Sequence, residues 1–192
     1  MKTIKSLSGL LFVMSVTLFF SCNKPVEAPV EVAVAPSTER VTMMLNDWER
    51  AKKYTQAYLD SANEKSIAFK SSPKTPRTFG DQLMHLAEAN YGLTQAASGK
   101  ATELGFGKME GKDGFKTKAE VSQAVAASYD FVIGALKEMN DTQLKDSCEV
   151  FKMKMTKEAA FNKLFEHQTH HRGQTTQYLR AQGLTPPQEM LF

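Results

Sequence analysis

Cysteine and histidine are both scarce in this chain of 192 residues, and each scarcity narrows the chemistry. The two cysteines are Cys22 and Cys148. Cys22 directly follows the leader described below and is consumed in the reading given there, which leaves Cys148 alone and excludes an intramolecular disulfide framework. A lone cysteine reads as a small apolar residue rather than a nucleophile. An excess of charge of one sign is also missing. The formal charge is +3, and setting aside Lys2 and Lys5 of the leader (3 − 2) brings it to +1. A nucleic-acid face needs clustered cations that displace counterions from phosphates, and no cluster of that size is present. The stretches Arg50-Ala-Lys-Lys53 and Lys152-Met-Lys154 read as solvated faces. The apolar run at residues 10–20 falls short of the roughly 20 residues that a spanning helix needs.

What is present begins with a targeting segment at residues 1–21. Lys2 and Lys5 give it a positive start, the apolar run follows, and Ser21-Cys22 closes it. A small residue before a cysteine resembles the junction of a bacterial lipoprotein signal, although Phe19 stands where leucine is usual. An ordinary secretory signal cut nearby is the alternative. Residues 22–38 then read as a flexible tether, because Pro25, Pro29 and Pro36 disfavour helix and favour an extended spacer. On the first reading Cys22 carries a lipid, and the protein is anchored to a membrane at the bacterial cell envelope.

Residues 39–192 read as one all-α domain of about 155 residues, enough for a sizeable core. A first helix is expected from the spacing of Val41, Met44, Leu45, Trp48, Thr55, Leu59 and Ala62, with Ser37 or Thr38 as its cap. Pro73 and Pro76 interrupt the chain. Thr78-Phe-Gly-Asp81 resembles a capping box that opens a second helix to about residue 97. Thr117-Lys-Ala-Glu120 does the same for a third, with Val121, Val125, Val132 and Leu136 as its stripe and Asn140-Asp141 as its end. The fourth runs from about residue 156 to 180. Four such helices suggest a four-helix bundle. Residues 99–114 hold five of the eleven glycines and read as a flexible excursion. The segment at 148–153 alternates like a short strand, without an obvious partner.

Three of the four histidines fall within residues 167–171. At about 100° per residue, His167 and His171 stand one turn apart on one face of the last helix, with Gln174 and Tyr178 continuing the line. Two imidazoles so placed can converge on one metal ion. His85, on the second helix, is the candidate third ligand. Its face carries Asp81, Ala89, Gly92 and Ala96, small enough to leave room for an ion or for a close helix. His170 lies about 100° from His171 and reads as a flanking residue.

The run His167-x-x-x-His171-Arg-Gly-Gln174, followed by Tyr178-Leu-Arg-x-x-Gly183 and Pro186-Pro187, resembles the DinB-like superfamily. That resemblance implies an up-down-down-up four-helix bundle and a divalent metal such as zinc or nickel. It implies His85, His167 and His171 as the ligands, with Arg172 and Gln174 in the matching motif and Gln174 behind a ligand or a bound water. Three neutral imidazoles leave an ion its full charge and an open position, at which water or a thiol loses its proton readily. Metal-dependent hydrolysis or thiol transfer on an unknown small molecule is therefore expected. Glu88 and Glu166 are the candidate general bases. A metalloprotease of the His-Glu-x-x-His type is disfavoured, because Gln168 stands where the glutamate would be. The alternative is a non-catalytic envelope lipoprotein that binds a ligand or partner through the bundle, and a homodimer is left open.

Overall fold

The computed structural model describes residues 38–192. The leader, Cys22 and all but the last residue of the tether lie outside the described residues. Among those described are six helices and one hairpin: α1 (Glu39–Ser61), α2 (Glu64–Ile67), α3 (Phe79–Ser98), α4 (Lys118–Lys137), α5 (Asp141–Leu144), β1 (Ser147–Val150), β2 (Met153–Thr156) and α6 (Lys157–Ala181). The expected helical domain is there, with α1, α3, α4 and α6 as its four long helices. None of the described helices is long and apolar enough to cross a membrane.

Local chemistry sets the helix starts. Thr78 and Thr117 each close the reciprocal capping box expected of them, with Asp81 and Glu120, and Thr156 accepts the amide of Ala159 to open α6. Helix α3 ends at Gly99, whose φ of 79° is a left-handed cap that glycine adopts without strain. The start of α1 differs from expectation. Thr38 occupies the cap position without a side-chain bond, and the carboxylate of Asp141 instead accepts from the amides of Arg40 and Val41 at 3.2 and 3.1 Å. Asn140-Asp141 is likewise not the end of the third helix, since α4 stops at Lys137 and Asn140 caps α5. The polar pair that looks like a stop caps two helix starts, one of them from the far end of the chain.

Packing follows the apolar stripes. Helix α3 packs against α4 and α6, while α1 packs against the same two helices on the other side. Trp48, Leu59, Phe79, Leu83, Leu86, Tyr129, Leu136, Phe161 and Leu164 are almost fully buried between them. The rings of Tyr129 and Phe165 flank Trp48 at 5.8 and 5.3 Å. The small-residue face of α3 is shared: α6 meets it at His85, and the excursion covers it at Gly92. Phe106 of the excursion lies on it, so close that a Cβ added at Gly92 would stand 2.8 Å from the ring.

The segment at 148–153 is not a single strand, because the chain reverses within it and its two ends belong to paired strands. Strands β1 and β2 pair antiparallel with Val150 opposite Met153, leaving Phe151 and Lys152 as a two-residue turn. Both have positive φ, 48° and 64°, the backbone of a type I′ hairpin that normally calls for Asn-Gly. The turn was hidden because neither residue suits it. Lys152→Gly is expected to stabilise the domain by about 0.5–1 kcal/mol, relief of left-handed strain outweighing the greater freedom of glycine in the unfolded chain. A denaturant titration checks this, and a loss of stability would mean that Lys152 holds the hairpin in some other way.

Candidate metal centre

Helix α6 carries two neighbouring inward lines. Gln168, Arg172, Thr175 and Leu179 form one, buried toward the core. His167, His171, Gln174 and Tyr178 form the other, which faces α3 at its middle. There His85 meets them. The ring centres are 5.3 Å apart for His85 and His167, 4.6 Å for His85 and His171, and 4.3 Å for His167 and His171. Imidazoles sharing one ion at about 2.0–2.1 Å would place their ring centres roughly 4.5–5.2 Å apart. One nitrogen from each ring falls within 4.8 Å of the other two.

The electrostatics suit a cation. Burial is the first cause holding His171 down to about 3 and His167 down to about 4, and the neighbouring imidazoles add to it. His85 is also lowered, by burial and then by the Arg77 guanidinium. All three rings are thus neutral at pH 7, as ligands must be. Nδ1 of His167 is buried without a hydrogen-bond partner, although such atoms are nearly always satisfied. An ion would satisfy it. Behind the other two rings stand polar groups of the kind that orient metal-bound histidines. Gln82 Nε2 donates to His171 Nδ1 at 2.7 Å and also to Gln174, whose amide in turn reaches the Nε2 of His170 at 2.7 Å. Turning both amides over preserves every contact and makes His171 Nδ1 the donor, freeing its Nε2. His85 Nδ1 lies 3.2 Å from Glu110 Oε2.

The other expected residues fall variously. Gln174 reaches His171 only through Gln82, and its other bond is to the exposed His170. Arg172 is not near the three rings. It points inward, its guanidinium 4.4 Å from the centre of the Tyr54 ring and bonded to Gln168 Oε1 at 3.0 Å. Adjacency in sequence misleads here, because one step along a helix turns a side chain by about 100°. Glu166 is exposed and lies outside the cluster of potential ligands. Glu88 is close to His85, but its Oε1 is engaged by the amides of Met109 and Glu110 at 2.6 and 2.9 Å. Cys148 is half-buried in β1, with its thiol pushed up by burial, which does not suit a nucleophile.

Three residues near the centre were not anticipated: Gln82, Arg77 and Glu110. Gln82, three before His85, carries a weak signal as an amide on the inner side of a ligand helix. Arg77 and Glu110 carry none, since a proline-rich loop and a glycine-rich one meet there only in the folded chain. They line an open cavity of about 470 Å³ beside His85, together with Asp81, Glu88 and Phe106.

This architecture has known counterparts. A DinB-like protein from Bacillus cereus superposes with a TM-score of 0.65 at 23% identity, covering 76% of this chain and 95% of that one. A DinB-like protein from Bacillus subtilis gives 0.59 at 14% identity, covering 78% and 96%. At such identities the likeness speaks for the fold. No functionally curated protein matches the chain. The DinB family model, however, matches residues 36–190, which takes in every long helix and all four histidines, and on that match the chain belongs to the DinB family.

Proposed function

We propose that this protein binds a divalent metal ion through His85, His167 and His171 and uses it on a small molecule admitted beside His85. One observation carries the reading: neutral imidazoles from two separate helices converge to within a few tenths of an ångström of the spacing of a shared ion, one of them with a buried nitrogen that has no partner. The bundle is read as up-down-down-up, in keeping with α1 and α3 each packing against both α4 and α6. An ion on three neutral ligands would supply Lewis acidity at its remaining position. The chain's own residues hold the rings neutral, orient His171 through Gln82 and shape the cavity.

Between the two chemistries, thiol transfer fits better than hydrolysis. Hydrolysis wants a free carboxylate as base, whereas Glu88 is engaged by the loop and Glu166 faces solvent. The same observation favours the second reading, a non-catalytic envelope protein that binds a ligand at the ion. In either case Lys2, Lys5, the apolar run and Ser21-Cys22 support a lipid anchor at the cell envelope, with the chain held to its membrane through residues 22–38.

Elemental analysis of the purified chain after zinc or nickel loading tests the centre. About one ion per chain is expected, falling to background in His167→Ala and in His171→Ala. Unchanged metal content in both variants would remove the site. A thiol-exchange screen on the loaded protein then separates transfer from binding alone.

A further inference from the structure

We propose that Glu110 is a positioning residue for His85 and that Arg77 opposes it, so that whichever of the two holds His85 Nδ1 decides whether this ring can ligate an ion. The inference rests on the three-histidine reading above.

Nδ1 of His85 lies 3.2 Å from Glu110 Oε2 and 3.2 Å from a terminal nitrogen of Arg77. One ring nitrogen cannot serve both. If it accepts from Arg77, the ring proton sits on Nε2 and leaves no lone pair there for a metal. If it carries the proton and donates to the carboxylate, Nε2 is free and more basic, the arrangement usual behind metal-bound histidines. Arg77 and Glu110 also pair with each other, at 2.8 and 3.1 Å. The three groups therefore form one unit with two settings.

The fold fixes both contenders independently of their side chains. Tyr178, on the line of α6 that carries the histidines, donates its hydroxyl to the Arg77 carbonyl at 3.1 Å. Glu110 is set by α3 itself. Glu88, nearly one turn after His85, takes the amides of Met109 and Glu110, and Asp81, one turn before it, takes the amide of Gly111 at 3.2 Å. Hydrogen bonds to a charged acceptor are stronger than neutral ones, so these three hold the excursion beside the ring. The glycine-rich loop thus wraps its amides around the chain's own carboxylates and presents Glu110 to the ring. Glu88 acts in this account through the loop and not on a substrate.

The two side chains have opposite predicted effects, which a merely structural role would not produce. Zinc affinity of the purified full-length chain, measured by competition with a chromophoric chelator at fixed pH, is the readout. Glu110→Gln is expected to weaken binding roughly 10–100-fold, with Glu110→Asp recovering part of the loss. Arg77→Gln is expected to tighten it roughly 3–10-fold, because a competing donor and a like charge are both removed. Hydrogen exchange at Met109, Glu110 and Gly111 should slow when zinc binds. Zinc binding that Glu110→Gln leaves unchanged overturns the inference alone, as does an Arg77→Gln variant weakened like Glu110→Gln. A wild-type chain that takes up no zinc overturns the three-histidine reading and this inference together.

Discussion

Stripped of divalent ions, the protein is expected to lose stability steadily as the pH falls from about 6.5 toward 4, and to recover it when zinc is added. Unfolded histidines take up protons near pH 6.5, whereas burial and mutual repulsion keep His167 neutral to about 4 and His171 to about 3. Within that window the unfolded chain binds more protons than the folded one, so stability declines with falling pH. Above about 6.5 both states are neutral and the full contribution is present. Below the folded values both states are charged and this dependence ends. The slope is at most about 1.4 kcal/mol per pH unit for each group, and less for His167, which is partly open to solvent. Melting the chelated protein between pH 6.5 and 5, above the carboxylate range, isolates the effect. The variant combining His167→Ala with His171→Ala should show a flatter dependence. Zinc at a thousandfold above its dissociation constant adds about 4 kcal/mol, a rise of roughly 8–16 °C for a domain of this size. That rise should shrink with falling pH, since protons compete for the same nitrogens. A wild-type slope no steeper than the variant's would show that the rings are not held neutral by burial, and no response to zinc would show that they do not act as a metal centre.

The parts of this centre that could be read from the sequence are those governed by local periodicity. His167 and His171 sit on one helix, where 3.6 residues per turn fixes their common face whatever the rest of the chain does. The capping boxes at Thr78 and Thr117 were legible for the same reason, each being complete within four residues. His85 is a different case. Its place on α3 could be read, and the lack of any other histidine outside the last helix made it the candidate third ligand. Its meeting with α6 depends on how two helices pack, which no local pattern gives and the resemblance to a family implied. Nothing local marks Glu110 or Arg77, which reach His85 from loops held by distant groups, the carboxylates of Glu88 and Asp81 for the one and the Tyr178 hydroxyl for the other. Asp141 shows the same limit, since a cap supplied from 100 residues away leaves no trace beside the helix it caps.

Helix α6 also hides its own core face, because in mid-helix that face is polar, and this leads to the second large effect expected. Gln168→Leu should destabilise the domain by about 3 kcal/mol, and adding Arg172→Met should restore much of the loss. Gln168 is completely buried, and its Oε1 accepts both from Arg172 at 3.0 Å and from the Tyr129 hydroxyl at 2.8 Å. Tyr129 retains a second partner, the hydroxyl of Thr55 at 2.7 Å. The Arg172 cation lies against the face of Tyr54, and among the described residues no carboxylate pairs with it. Removing the Gln168 carbonyl therefore leaves a buried charge held only by the Tyr54 ring face and the neighbouring Tyr129 hydroxyl, the situation in which truncating one partner costs most. Methionine at 172 removes the charge and keeps the length of the side chain, so the double variant should be more stable than Gln168→Leu by itself. Denaturant titrations of the two single variants and the double measure the coupling directly. Zinc uptake should persist in all three, because this network lies on the line of α6 adjacent to the histidines and shares no hydrogen bond with them. Additive losses would mean that Arg172 is held by something other than Gln168. Loss of zinc uptake with folding intact would tie this residue to the metal centre after all.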